Sequence, residues 1–238
     1  MPCFKTIYNW LYCGLLTGSS VKNLRHKGKR QKNKTTYQNQ KAKDMKERSI
    51  WKRPKEVKNR ERIGDFEIDT IVAPHDNSKA CLVTIVDRRS RYAIVRKVED
   101  RKAETVKECL IDTLKNIKVH TLTSDRGVEF YEFKEIEEKL NINYYFADPY
   151  SSWQRGTNEN ANGLIREFFP KKTDFTKISD EELQKKVDLI NNRPRKCLGW
   201  KTAKEVYENN LTIPDKSELK LIHKIIKMIT RLKGWDKP

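Results

Sequence analysis

Apolar and polar positions alternate along Ile63–Val72, placing Phe66, Ile68, Thr70 and Val72 on one side of an extended chain. Ile63, Asp65, Glu67, Asp69 and Ile71 fall on the other side. Ala80–Val86 is a nearly unbroken apolar run, the pattern of a central strand covered on both faces. Arg91–Val98 predicts a third strand, and the short Asp87–Ser90 connection makes the pair a hairpin. The period then lengthens. Val106, Leu110, Ile111 and Leu114 space a helix over Lys102–Ile117, followed by a strand at Val119–Ser124, a helix at Glu129–Leu140 and a strand at Ile142–Ala147. Beyond the loop Asp148–Thr157, one helix runs from about Asn158 to Phe169 and stops at Pro170. Another spans Asp180–Asn191 and stops before Pro194. The order βββαβαβ followed by helices predicts the α/β class, a mixed five-stranded sheet with helices on both faces.

The two ends read differently from this body. Residues 1–18 carry a short helical stripe through Ile7, Trp10, Leu11 and Leu15. Residues 19–60 hold few apolar side chains and read as a basic linker, disordered unless bound. The core is expected over 61–208. A tail over 209–238 follows, whose Leu219, Ile222, Ile225, Ile226, Ile229 and Leu232 space an amphipathic helix.

Charge sharpens this division. The chain has 238 residues and a formal net charge of +18, and residues 1–60 contain 17 basic against 3 acidic side chains, leaving 34 against 30 for the rest. A nearly balanced body with a basic front end implies a polyanionic partner, nucleic acid before anionic membrane. No run of 18 apolar residues exists to span a bilayer. The five cysteines are odd in number and form no CxxC, so they read as reduced thiols of a cytoplasm. The four histidines are scattered, which argues against a structural zinc site.

Three acids fall where this topology converges: Asp69 on the first strand, Asp125 at the carboxyl end of the fourth, and Glu159 in the first turn of the helix after the fifth. Carboxylates gathered together repel and hold protons unless a hard divalent cation neutralises them. Two Mg²⁺ ions could activate an attacking oxygen and stabilise a leaving one on a phosphodiester. Each acid alone has an ordinary explanation: a turn former at Asp125, a helix-dipole partner at Glu159, a solvated strand residue at Asp69. Asp65, Glu67 and Asp87 compete, since Asp65 and Glu67 share the face of Asp69. On the helix carrying Glu159, Asn162, Gly163 and Arg166 lie on its face, and Ala161, Leu164, Ile165 and Phe168 on the other. Arg166 is a candidate phosphate contact, with a surface salt bridge as the alternative.

The stretches Gly64–Ile71, Leu122–Phe130 and, most specifically, Phe146–Lys171, with Asn191–Ala203 downstream, resemble the IS-thirty family of bacterial insertion-sequence transposases. The 33 residues between Asp125 and Glu159 match that family's spacing, and the resemblance covers about residues 60–208. It implies a ribonuclease-H-like, retroviral-integrase-type core with a DDE triad of Asp69, Asp125 and Glu159. It also implies metal-dependent cleavage at element ends and strand transfer into target DNA. The implied cofactor is Mg²⁺, with Mn²⁺ as substitute, as two ions. The implied partners are DNA and further copies of the chain on DNA, with no membrane and no small-molecule cofactor, and the implied place is the bacterial cytoplasm at the nucleoid. Trp153 and Arg155 then become DNA contacts in the loop leading to the third acid, with core packing the alternative for Trp153. Family members carry helix-turn-helix units ahead of the core. Here only residues 1–18 and the basic Leu24–Arg30 correspond, with Lys27, Lys29 and Arg30 as phosphate contacts, so the chain reads as a truncated copy. A catalytically idle DNA-binding remnant and a stand-alone nuclease of the same fold are the alternative readings.

Overall fold

A computed structural model describes residues 2–16, 18–23, 43–73 and 79–209, with residues 224, 225 and 228. The chain divides into two compact units, residues 1–42 and 43–238. In the first unit α1 spans Phe4–Tyr12 and buries none of its side chains. Lys27, Lys29 and Arg30 lie outside the described residues, as does nearly all of the tail expected over 209–238.

In the second unit the sheet forms where the alternation predicts it. Strands β1 (Asp65–Val72), β2 (Cys81–Asp87), β3 (Ala93–Val98), β4 (Thr121–Ser124) and β5 (Asn143–Phe146) stand in the order β3-β2-β1-β4-β5. β2 is buried along its whole length, as its unbroken apolar run requires. It pairs antiparallel with β1 and β3, while β4 joins β1 and β5 in parallel. Ahead of β1, Gly64 adopts φ 103, and a Cβ there would press on the Lys118 carbonyl at 2.7 Å.

Each face of the sheet has its own core. On one, Phe66, Ile68, Val83, Ile85 and Leu122 pack with Val106 and Leu110 of α3 (Ala103–Leu114) and with Phe133 and Ile136 of α4 (Phe133–Leu140). On the other, Ile71, Leu82 and Val95 meet Ile165 of α5 (Gly156–Phe168) and Leu183, Val187 and Ile190 of α6 (Asp180–Asn191). Helix starts follow local chemistry. Ser179 accepts from the Glu182 amide at the head of α6, and Thr202 and Glu205 form a reciprocal capping box on α7 (Ala203–Glu208).

Two expectations are corrected. The helix expected over Glu129–Leu140 is a 3₁₀ turn at Val128–Phe130 followed by α4, because Glu129 turns inward to bond Arg101 and Thr70. The linker expected over 19–60 does not extend to residue 60, since residues 43–60 belong to the core unit. Met45, Ile50 and Val57 are buried, Ser49 bridges to Phe146 at the open edge of β5, and Arg48 Nε donates to both oxygens of Glu137 at 3.0 and 2.8 Å. A short helix, α2 (Lys55–Asn59), carries Val57. Three apolar side chains isolated among charges leave no periodic signal, yet each fills its own site.

Candidate active site

Strands β1 and β4 pair only over Asp65–Glu67 and Thr121–Thr123, and then part. Asp69 lies two residues beyond the last pair on β1, and Asp125 directly follows β4, so both carboxylates stand at the mouth of the split. Asp69 points to the α5 side, where Oδ2 accepts from Asn162 Nδ2 at 3.1 Å and Oδ1 accepts from the Thr70 amide at 2.9 Å. Asp125 Oδ1 accepts from the Gly127 amide at 2.9 Å. A Cβ at position 127 would press on the Glu129 carboxylate folded back over it, so a larger residue there would make Glu129 shift.

One guanidinium joins the two acids. Arg155 closes a 3₁₀ turn at Ser152–Arg155; its Nη1 lies 3.2 Å from Asp69 Oδ2 and its Nη2 donates to Asp125 Oδ2 at 3.2 Å. Nη1 also donates to the Ile68 carbonyl at 3.2 Å, the next β1 acceptor beyond the last β4 pair. Arg155 is buried here, with both Nη groups directed at the acids and the strand. Burial raises the Asp69 pKa; Arg155 and the Thr70 amide oppose that rise, and the nearby Asp125 charge adds to it. Beside Asp125 a cavity of about 600 Å³ is walled by Arg126, Asp148, Tyr150 and Arg155.

Glu159 is exposed on α5, one turn before Asn162 on the same flank. It is not gathered with the other two acids, and among the described residues no group of three His, Cys, Asp or Glu side chains is assembled to hold a metal. The donor set nonetheless suits a hard cation. Two carboxylates converge on a single positive charge, and the buried Asn162 Oδ1 beside them has no hydrogen-bond partner.

The competing carboxylates are committed elsewhere. Glu67 is fully buried, ion-paired with Arg88, and accepts from the Asn158 amide at 2.9 Å. Asp65 accepts from Arg62 Nε at 3.0 Å and Thr121 Oγ1 at 2.8 Å, and Asp87 from the amides of Gly64 at 2.8 Å and Ser90 at 2.7 Å. Arg166, half-buried, makes its contacts to backbone carbonyls of the protein. Its guanidinium donates to the carbonyls of Val72, Phe169 and Pro170 at 2.8, 3.4 and 3.2 Å, closing the end of α5 onto β1. Trp153, by contrast, is 72% exposed, which removes core packing as its explanation. The Glu67–Arg88 pair and the Asn162 bond to Asp69 were not legible as site features, because acid–base partners in different elements carry no spacing signal.

Comparison with known proteins places the fold. Residues 61–152 match the integrase core domain family, a segment that contains Asp69 and Asp125 and ends before Glu159. The fold is similar to the catalytic core domain of BIV integrase, with a TM-score of 0.50 at 18% identity over 62% of this chain and 95% of that one. The molecule therefore has an integrase-type, ribonuclease-H-like core.

More particularly, the chain is 37% identical over 211 residues to the transposase for insertion sequence element IS4351 of Bacteroides fragilis, covering 87% of this chain and 64% of that protein. It is 39% identical over 169 residues to transposase InsI for insertion sequence element IS30C of Escherichia coli strain K12, covering 70% and 43%. Residues 61–152 thus match the integrase core domain, and the chain is similar over most of its length to IS30-type transposases, while spanning less than two thirds of their own length.

Proposed function

We propose that this chain is the catalytic part of a transposase, a polynucleotidyl transferase that cuts DNA at element ends and joins the freed 3′-hydroxyl to target DNA. The observation that carries this reading is the convergence of Asp69 and Asp125 on one cation at the parting of β1 and β4, within an integrase-type fold. In the joining step the 3′-oxygen forms a bond to phosphorus while the target's P–O3′ bond breaks, and the departing oxygen takes up a proton. Asp69, Asp125 and Glu159 would hold the divalent cations, two Mg²⁺ with Mn²⁺ as substitute. When bound, those ions supply charge neutralisation at the attacking and leaving oxygens. Asn162 orients Asp69 through its amide, and Gly127 orients Asp125. Exposed Trp153 offers a stacking face to DNA beside the cavity. Two element ends must be handled together, so the working form is a homo-oligomer on DNA.

The test is nicking and joining of labelled DNA with Mg²⁺ or Mn²⁺, run beside Asp125→Asn and Glu159→Gln proteins whose melting is checked. The parent should cut and join, and both variants should lose at least two orders of magnitude of rate while remaining folded. Cutting without joined product would make the chain a nuclease. A fully active Glu159→Gln would remove the third acid from the site.

A further inference from the structure

Helix α5 has two working flanks. Its buried seam is Asn158, Ala161 and Ile165, and on one side of that seam Asn162 reaches Asp69. The opposite side, through Gly156, Asn160 and Leu164, forms the wall of a cleft of about 520 Å³. Five cationic side chains from three separate parts of the chain face this cleft: Arg60, Arg91, Arg193, Arg195 and Lys196. Among the described residues no carboxylate lines it.

Such a gathering has to be enforced, because like charges repel. Arg60 and Arg91 both sit in left-handed backbone, at φ 61 and 65, which directs them out of their turns. Arg91 Nη1 is anchored on Thr157 Oγ1 at 2.7 Å. The Arg193–Lys196 segment is pinned by the Pro194–Thr202 bridge and by the Arg195 amide on the Lys201 carbonyl at 3.0 Å; Leu198 is buried below with Ala203 and Val206. Arg193 pairs with Glu167 at 3.1 Å, outside the cleft lining. Arg195 spends one Nη on the Ile190 carbonyl at 3.3 Å, and its buried Nε has no partner. Burial lowers the Arg195 pKa; the adjacent Cys197 opposes that, and the charges of Arg91 and Arg193 add to it, an environment that an anion would relieve.

We propose that this cleft is a binding site for the backbone phosphates of DNA, set along the flank of α5 opposite Asp69. A strand crossing the helix would place one phosphate among the arginines while a neighbouring stretch approaches the acids. Contacts to backbone phosphate of this kind are electrostatic and independent of sequence. The proposal rests on reading the chain as acting on DNA, but not on the three acids.

It is tested by fluorescence anisotropy of a labelled duplex over a salt series, with the full chain. Arg193 and Lys196 are exposed, so Arg193→Gln with Lys196→Gln should leave melting unchanged. That double variant should bind several-fold more weakly at low salt, with its slope of log affinity against log salt reduced by roughly 1 per lost phosphate contact. Restoring charge with Arg193→Lys and Lys196→Arg should recover most of the affinity. A charge-matched control, Lys177→Gln with Lys185→Gln, should keep the parent's slope. Equal losses in the control and the cleft variant would overturn the site, as would an unchanged cleft variant. If inorganic phosphate at matched ionic strength raised the parent's melting temperature while the cleft variant still bound DNA normally, the cleft would take a free anion, which also overturns the proposal. A chain that neither cuts nor joins DNA but shows these slope changes would sink the catalytic reading and leave the cleft standing.

Discussion

Two arginine–carboxylate centres lie within one turn of each other along α5, built from the same chemistry and left in opposite conditions. At Glu67, Arg88 and the Asn158 amide meet a carboxylate with no exposure, and Arg88 Nε is spent on the Val57 carbonyl at 3.1 Å. At Asp69 and Asp125, one arginine serves two carboxylates, the Asp125 side chain is 40% exposed, and a cavity stands alongside. The first centre is saturated and dry; the second has one cation for two charges and access to solvent. Buried ion pairs resist the loss of either partner because the survivor is stranded, whereas a centre short of positive charge can accept more. Exposure and saturation, not residue type, separate the structural acid from the candidate ligand.

The comparison can be broken most directly at its dry end. Arg88→Met should destabilise the protein by about 3–5 kcal/mol by stranding Glu67, with no recovery on adding Mn²⁺; urea unfolding with and without the ion measures both. A loss below about 1 kcal/mol would mean that the pair behaves as a surface bridge. At the wet end, Arg155→Met should cost less, about 1–3 kcal/mol, and millimolar Mn²⁺ should restore part of the melting temperature, because a cation replaces the missing charge. If the variant gained no more from Mn²⁺ than the parent, Arg155 would not occupy a cation's place.

Asp87 sharpens the dry side through pH. Burial raises its pKa despite the amide and hydroxyl donors of Ser90, so the folded carboxyl holds its proton more tightly than the unfolded one. Its stabilising contribution is therefore full below about pH 3.9 and is lost as pH rises through the raised folded value. The parent's stability advantage over Asp87→Asn should shrink across that window in denaturant titrations. An advantage that grows with pH would mean that the donors outweigh burial. The smallest effect belongs to the rim: Trp153→Ala should change stability by less than about 0.5 kcal/mol while weakening DNA binding in the anisotropy assay.

Much of this molecule is legible in its sequence, for reasons that also explain the rest. The five strands and the helices of both faces announce themselves because each buries a continuous stripe, and a stripe has a period. The Asp69 and Asp125 positions follow from topology, since both fall where parallel neighbours end. Residues 43–60 escape because Met45, Ile50 and Val57 are buried one at a time. Which partners Arg155 and Arg166 have within the protein is not legible in the sequence, because an arginine near acids or carbonyls has no sequence mark to distinguish it from one facing solvent. The basic cleft escapes in part for the same reason: Arg193-Pro194-Arg195-Lys196 is visible as a run, but Arg60 and Arg91 join it only in three dimensions.

The parting of β1 from β4 also bears on the order of assembly. The Ile68 carbonyl, left without a strand partner at the split, is satisfied by a side chain 87 residues further along the chain. The sheet can therefore close along Asp65–Glu67 before the segment around Arg155 arrives, but the two acids are bridged only after it docks. Long loops close late, which makes this centre a late-forming part of the fold. In hydrogen exchange, the amides around Ser152–Arg155 should open at lower free energy than those of β2, and opening there would release Asp69 and Asp125 together.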